Sequence, residues 1–259
     1  NKLYKIYKPQ ESTNNITENN NADSIYLKDN NSFDEIKNTL KLTKENANVY
    51  VLTKWQITLL MLQEVFEYTK ANNESKQRMD TMLTEIANEL NRIKDDKPMY
   101  VHYHLDSRAR LEHFFAQCCV EVEGRAFRLE EDLNYTTANR LREVFANTFK
   151  NDSAKADELI ALKSGRAKTI ANYVYNNKNG NESSDDGWDF RGRGIKQLTG
   201  RDNYERFQSF YNANNPNNKK DFLNNEEHRK ELINNGRVAL LSAVWFWNDK
   251  KYPNGSKTN

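Results

Sequence analysis

From Met79 onward, apolar residues recur at helical spacing, and this periodicity restricts the fold more than any other feature of the sequence. Met79, Met82, Leu83, Ile86, Leu90 and Ile93 make one stripe along a single helix face. Behind the small polar pair Asp106-Ser107, a natural N-cap, Leu111, Phe115, Cys118 and Val122 fall at i, i+4, i+7 and i+11. Thr137 caps a third predicted helix with Leu141, Val144, Phe145 and Phe149 on its core face, and Phe207, Phe210 and Tyr211 begin a further stripe. Strand signals are scarce throughout this region, so the pattern predicts a mainly α domain.

The first 75 residues read differently. Tyr4, Ile6 and Tyr7 could open a short strand, but an Asn-rich run over 14–21 has too little apolar surface to offset the entropy of ordering and reads as a linker. Ser32-Phe33-Asp34-Glu35 has capping-box spacing ahead of a short helix with Ile36, Leu40 and Leu42. Val49 to Thr53 has strand composition, and Leu59, Leu62, Val65 and Phe66 fit one face of a helix. Residues 71–75 break the pattern, which divides the chain into a small, partly α+β N-terminal region (1–75) and a main domain (76–259).

Composition removes several classes of function. Lys and Arg number 39 against 37 Asp and Glu, so a net charge of +2 makes no general case for nucleic acid or a membrane surface as partner. No run approaches the roughly 18–20 apolar residues of a membrane-spanning helix. The two cysteines, Cys118 and Cys119, are adjacent and give neither a zinc spacing nor a disulfide framework. No His, Cys or acidic cluster has ligand spacing, so no metal and no cofactor is expected. The chain opens on Asn, which reads as a processed or cut form, and it shows no secretory signal segment.

Two stretches carry chemistry. Arg128-Leu129-Glu130-Glu131-Asp132-Leu133-Asn134-Tyr135 is an acidic cluster between two helices, and Glu121 lies at the margin of the apolar face of the helix before it. That margin predicts a partly desolvated carboxyl, and burial beside apolar side chains favours the protonated form that a general acid needs. Downstream, Asp189-Phe190-Arg191-Gly192-Arg193-Gly194-Ile195-Lys196-Gln197-Leu198-Thr199-Gly200-Arg201-Asp202-Asn203-Tyr204 contains two Gly-Arg repeats followed by spaced polar residues. Gly192 and Gly194 permit unusual dihedrals or close backbone approach, and Arg191 and Arg193 can hold carboxylates by paired hydrogen bonds.

The 189–204 stretch resembles the sugar-cleft signature of family 19 glycoside hydrolases, which include chitinases and peptidoglycan hydrolases. Ala116 to Glu121 is similar to that family's helix ending in His-Glu, and Leu129 to Tyr135 to its Glu-Asn-Leu-Asn-Tyr segment. Ile170-Ala171-Asn172-Tyr173-Val174-Tyr175 and the later Asn179-Gly180-Asn181 resemble its Ile-Ala-Asn-x-Val-Tyr helix end and Gly-Asn turn. Residues 238–247 resemble its Ser-Ala-x-Trp-Phe-Trp helix. The resemblance covers about residues 80–250 and implies a lysozyme-like, two-lobed helical domain.

By position, the resemblance implies Glu121 as general acid, Glu131 as general base and Thr199 as the residue that helps hold the attacking water. It implies sugar contacts from Gln197 and Asn203. Arg193 is expected among the substrate-binding residues, and Tyr204 and Trp188 offer apolar surface to a sugar or to the core. Three departures stand out. Val120 replaces the usual His, and the segment over 122–127 is two residues longer than usual (six against four), which keeps Glu123 and Glu130 as reserve acids. The usual closing Asn-Gly-Gly segment does not occur before Asn259.

An inverting hydrolysis of β-1,4 bonds follows from this reading, with two carboxyls roughly 6.5–9.5 Å apart to leave room for a water. The short connection between the acids resembles bacterial and phage members, which makes peptidoglycan the expected substrate ahead of chitin. Action would then fall in the periplasm or cell wall of a bacterium, reached by lysis or by a secretion system. An immunity protein or a secretion-apparatus partner is expected for a delivered antibacterial toxin. The competing expectation is a cell-wall-binding protein on a decayed hydrolase scaffold.

Overall fold

A computed structural model describes residues 56–68, 71–122 and 127–249. The strand readings at 4–7 and 49–53, the Asn-rich run, the helix over 32–42 and Glu123 lie outside the described residues. The described residues are mainly helical, with twelve helices and one two-stranded hairpin, as the periodicity predicts. They divide into two compact units, one of residues up to Phe127 and from Trp247, the other of Arg128–Phe246.

In the first unit, α1 (Leu59–Val65) and α2 (Asn73–Asn91) pack against each other, and α4 (Arg108–Glu121) packs on α1. Thr58 caps α1 with its hydroxyl on the Met61 N–H, Asn72 caps α2 through Ser75, and Ser107 caps α4 through Arg110. The predicted stripe of α2 is buried through Leu90. It faces Met61, Leu62 and Phe66, and the Phe66 ring meets Phe127 and Phe115 edge-on. Each such side chain contributes about 1.5–3 kcal/mol by leaving water.

Ile93 departs from the stripe: α2 ends at Asn91, and Ile93 is exposed in β1 (Ile93–Lys94), antiparallel to β2 (Lys97–Pro98). The cause lies in Asp95 and Asp96, whose φ of 49° and 60° make a two-residue hairpin turn with left-handed dihedrals at both positions. The short helix α3 (Met99–His102) follows, with Tyr100 fully buried.

The second unit opens with the extended segment 128–135 and continues through α5 (Ala138–Val144), α6 (Ala146–Phe149), α7 (Ala154–Ile160) and α8 (Arg166–Val174). Leu133, Leu141, Phe149, Leu159, Ile170 and Val174 form their common core. Thr137 caps α5 as expected, but Val144 is 42% exposed. The helix ends at Phe145, where ψ reaches +44°, and a separate helix starts at Ala146, so positions 141–149 do not share one continuous face. Beyond α9 (Asp186–Asp189) and the 190–200 loop, α10 (Arg201–Asn214), α11 (Glu226–Asn234) and α12 (Gly236–Asn248) complete the element order. Phe207, Tyr211, Phe222 and Trp245 pack ring against ring between them.

Candidate active site

The acidic segment and the Gly-Arg loop meet in the second unit as extended backbones. Glu130 forms a bridge with Arg193, and Arg193 pairs in turn with Leu198. Glu131 donates its N–H to the Gly192 carbonyl at 2.9 Å, and Gly194 donates to the Leu129 carbonyl at 2.8 Å. These bonds fix the register, so the side chains of Glu130 and Glu131 alternate to opposite sides of the segment.

Glu130 turns to the two arginines. Its Oε1 accepts from Arg191 and, at 3.1 Å, from Nε of Arg193. Arg193 is 1% exposed, and its Nη1 also donates to the Asp189 carbonyl at 2.6 Å and the Tyr204 hydroxyl at 3.1 Å. The reserve acid Glu130 is therefore an ion-pair clamp that compensates buried cationic charge, and Arg193, expected to bind substrate, is instead buried with its guanidinium committed to Glu130, Asp189 and Tyr204.

Glu131 turns the other way. Its Oε1 accepts from the Tyr175 hydroxyl at 2.6 Å, and its Oε2 lies 3.3 Å from the Gly192 N–H. The bare face of Gly192 is where the remaining polar groups converge. A Cβ placed on that residue would stand 2.7 Å from Gln197 Oε1, 3.2 Å from Thr199 Oγ1 and 3.5 Å from Glu131 Cβ. Glycine here provides space, whereas at Gly194 it provides a φ of +78°.

The groups around this face are oriented by the backbone. Gln197, itself at φ +49°, donates its amide to the Gly194 carbonyl at 3.1 Å, which leaves Oε1 as an acceptor. Thr199 donates its hydroxyl proton to the Gln197 carbonyl at 2.8 Å, so its own oxygen is also left as an acceptor. Asn203 donates to the Thr199 carbonyl at 2.8 Å from the first turn of α10. Glu131, Gln197, Thr199 and Asn203 are each half-buried, hence reachable from solvent.

Three further expectations need correction. Tyr204 presents no surface to a sugar: it is fully buried, accepts from Arg193 and donates to the Arg191 carbonyl at 2.9 Å. Trp188 is half-buried, packed on the core of α5 to α8 and covered by the Arg191 guanidinium 3.8 Å from its ring centre, so it is committed to packing. Glu121 ends α4 as an exposed residue and not as a desolvated one.

Below the loop, Asp186 is buried and accepts two hydrogen bonds from Arg201, at 2.8 and 2.9 Å. Burial opposes its ionisation, but the Arg201 hydrogen bonds and the Ser183 and Glu182 N–H groups outweigh burial and bring the carboxyl down to about 2. Arg229, also buried, lies over Phe190 and reaches Asp189 at 3.5 Å. Among the described residues no group of three or more His, Cys, Asp or Glu is placed to hold a metal ion.

No family model matches the chain. A curated protein of Haemophilus influenzae (strain ATCC 51907 / DSM 11121 / KW20 / Rd), named "Glycosyl hydrolase family 19 domain-containing protein", is 35% identical to it over 137 residues. The chain is related to this family 19 protein. The match takes in 52% of this chain and 58% of the relative, so the chain spans little more than half the length of the curated relative that it matches. The relative carries the family name that the motifs resemble, and it supports the glycosidase reading at that coarse level. No described helix is long and apolar enough to cross a membrane.

Proposed function

We propose that this chain is a glycoside hydrolase that cleaves β-1,4 bonds of peptidoglycan by acid/base catalysis with inversion. Glu131 is the base, Thr199 holds the water and Gln197 and Asn203 bind the glycan. The observation that carries this reading is the convergence of Glu131, Thr199 and Gln197 on the open face of Gly192. Thr199 leaves an acceptor oxygen toward that face and Glu131 Oε2 lies 3.3 Å from the Gly192 N–H, so on this reading a water between the two residues gives one hydrogen bond to each and keeps a lone pair for the anomeric carbon. Glu131 takes the proton as the C–O bond forms, and the departing glycosidic oxygen takes one from the acid. Glu121 is that acid by its place in the motif order. A periodic glycan of this kind places the action in a bacterial cell wall, as a lysin or an antibacterial effector.

The test is release of soluble fragments from purified sacculi and, in parallel, from chitin, by the chain and by Glu131→Gln and Glu121→Gln. Expected are hydrated reducing ends by mass spectrometry, the α-anomer as first product by NMR, and at least about 100-fold slower release by each variant. Anhydro-sugar products, or full activity in Glu131→Gln, would refute the mechanism. Binding to sacculi with no bond cut would make the chain a wall-binding protein. Cleavage confined to chitin would reassign the substrate.

A further inference from the structure

We propose that Tyr175 is a positioning residue for the hydrolysis, fixing the rotamer of Glu131 so that Oε2 faces the water site beside Thr199. The inference rests on Glu131 acting as the base. Tyr175 is the C-cap of α8, and nothing in the spacing of the sequence connects it with an acid 44 positions earlier. Its hydroxyl nevertheless donates to Glu131 Oε1 at 2.6 Å, a charge-assisted bond of the strong class.

Three features make this contact a support and not a chance surface bond. The backbone of Tyr175 is held on both sides: its N–H donates to the Ala171 carbonyl at 3.0 Å, and its carbonyl accepts from the Asn181 amide at 3.0 Å. Asn181 is itself buried and receives the Arg201 N–H at 2.9 Å, which ties this strut to the start of α10 and so to Asn203. The ring is braced edge-on by Phe145, and Phe145 by Tyr135, two positions beyond Leu133 in the acidic segment.

The phenol also stays a donor. Burial pushes its ionisation up, and the Glu131 charge and hydrogen bond push it further, so Tyr175 keeps its proton across any physiological pH. With Oε1 occupied in this way, the water's proton has one oxygen to go to, Oε2. The 3.3 Å approach of the Gly192 N–H is too long to hold that oxygen strongly, and it remains available as the base. Without the phenol, the carboxylate can rotate about its last torsion, which for glutamate is broad and roughly two-fold.

The experiment compares the chain with Tyr175→Phe, and with Tyr173→Phe as a control whose ring stacks on Phe149, using soluble glycan-chain fragments of sacculi. Tyr175→Phe is expected to lower kcat roughly 10- to 100-fold with KM within about twofold, while Tyr173→Phe keeps both. Denaturant midpoints for Tyr175→Phe, Glu131→Gln and the double variant provide a second readout. Expected is a double-variant loss smaller than the sum of the single losses. Additive losses, or an active Tyr175→Phe with kcat unchanged, overturn the positioning role alone. A wild-type chain that cuts no polymer overturns the glycosidase reading itself, whatever the midpoints show.

Discussion

Gly192→Ala separates the site from the fold. Gly192 is not among the residues with positive φ, so alanine's backbone preferences are met there, and the only obstacle is what the new methyl touches. The nearest atom is Gln197 Oε1 at 2.7 Å, the far end of a flexible side chain, followed by Thr199 Oγ1 at 3.2 Å. Gln197 must swing away and lose its 3.1 Å bond to the Gly194 carbonyl, a net loss of about 1 kcal/mol. For a domain of this size that is roughly a 2–4 °C fall in melting temperature.

On the proposed mechanism the catalytic cost is larger, because the methyl crowds Thr199 Oγ1 and displaces the Gln197 acceptor proposed to face the glycan. A misplacement on the order of 1 Å costs about 100-fold in rate. Differential scanning fluorimetry with fragment release from sacculi reads both quantities on one preparation. The reasoning fails if Gly192→Ala keeps wild-type kcat, since the face of Gly192 is then not the reaction site. It also fails if melting drops by more than about 10 °C, since the glycine is then needed for folding.

Further predictions concern the frame around the site. Asp186 has its folded pKa lowered from 3.8 to about 2, so its contribution of about 2 kcal/mol is complete above the unfolded value and disappears as pH falls through the folded one. Urea unfolding from pH 5 down to pH 2 should show that loss, and Asp186→Asn should flatten it. Glu130→Ala leaves the buried guanidinium of Arg193 without its carboxylate and should cost about 3 kcal/mol or more by calorimetry, with Glu130→Gln recovering part. A Glu130→Gln chain that loses activity at unchanged stability would return Glu130 to the list of catalytic acids. Tyr204→Phe removes a hydroxyl joining Arg193 and the Arg191 carbonyl, with an expected cost of about 1–3 kcal/mol and no change in KM. A raised KM at unchanged stability would restore the sugar contact.

Much of the helical frame is legible in the sequence because burial repeats with the helix period. The stripes of α2 and α4 and the caps at Ser107 and Thr137 stand where spacing puts them. Ile93 and Val144 fall outside their stripes because local chemistry overrides the period: a pair of aspartates that accept left-handed dihedrals, and a helix break at Phe145. The burial of Tyr204 is legible in the same period. Tyr204, Phe207 and Tyr211 stand at i, i+3 and i+7, one face of α10, so the aromatic expected to meet a sugar belongs to the same stripe as two core residues. Tyr175 left no comparable trace, because a hydrogen bond between residues 44 positions apart has no period.

The acidic cluster shows most clearly what pattern alone misses. Three acids in a row ordinarily repel one another and remain in water, which makes a solvated face the default expectation. Here the segment is extended, so consecutive side chains leave on opposite sides and each meets different chemistry. Glu130 meets Arg191 and Arg193 and becomes a counter-ion, while Glu131 meets a phenol that orients it without neutralising it. The pairing also reduces repulsion between the two, since the charge of Glu130 is met by two guanidiniums before Glu131 can feel it. On the proposed mechanism, exchanging their order, as in a one-residue slip of 128–135 against 191–194, would put the proposed base on the arginines and the counter-ion beside Thr199. The Leu129, Glu131 and Gly192 backbone bonds that prevent this slip are therefore as necessary to the chemistry as the carboxylate itself.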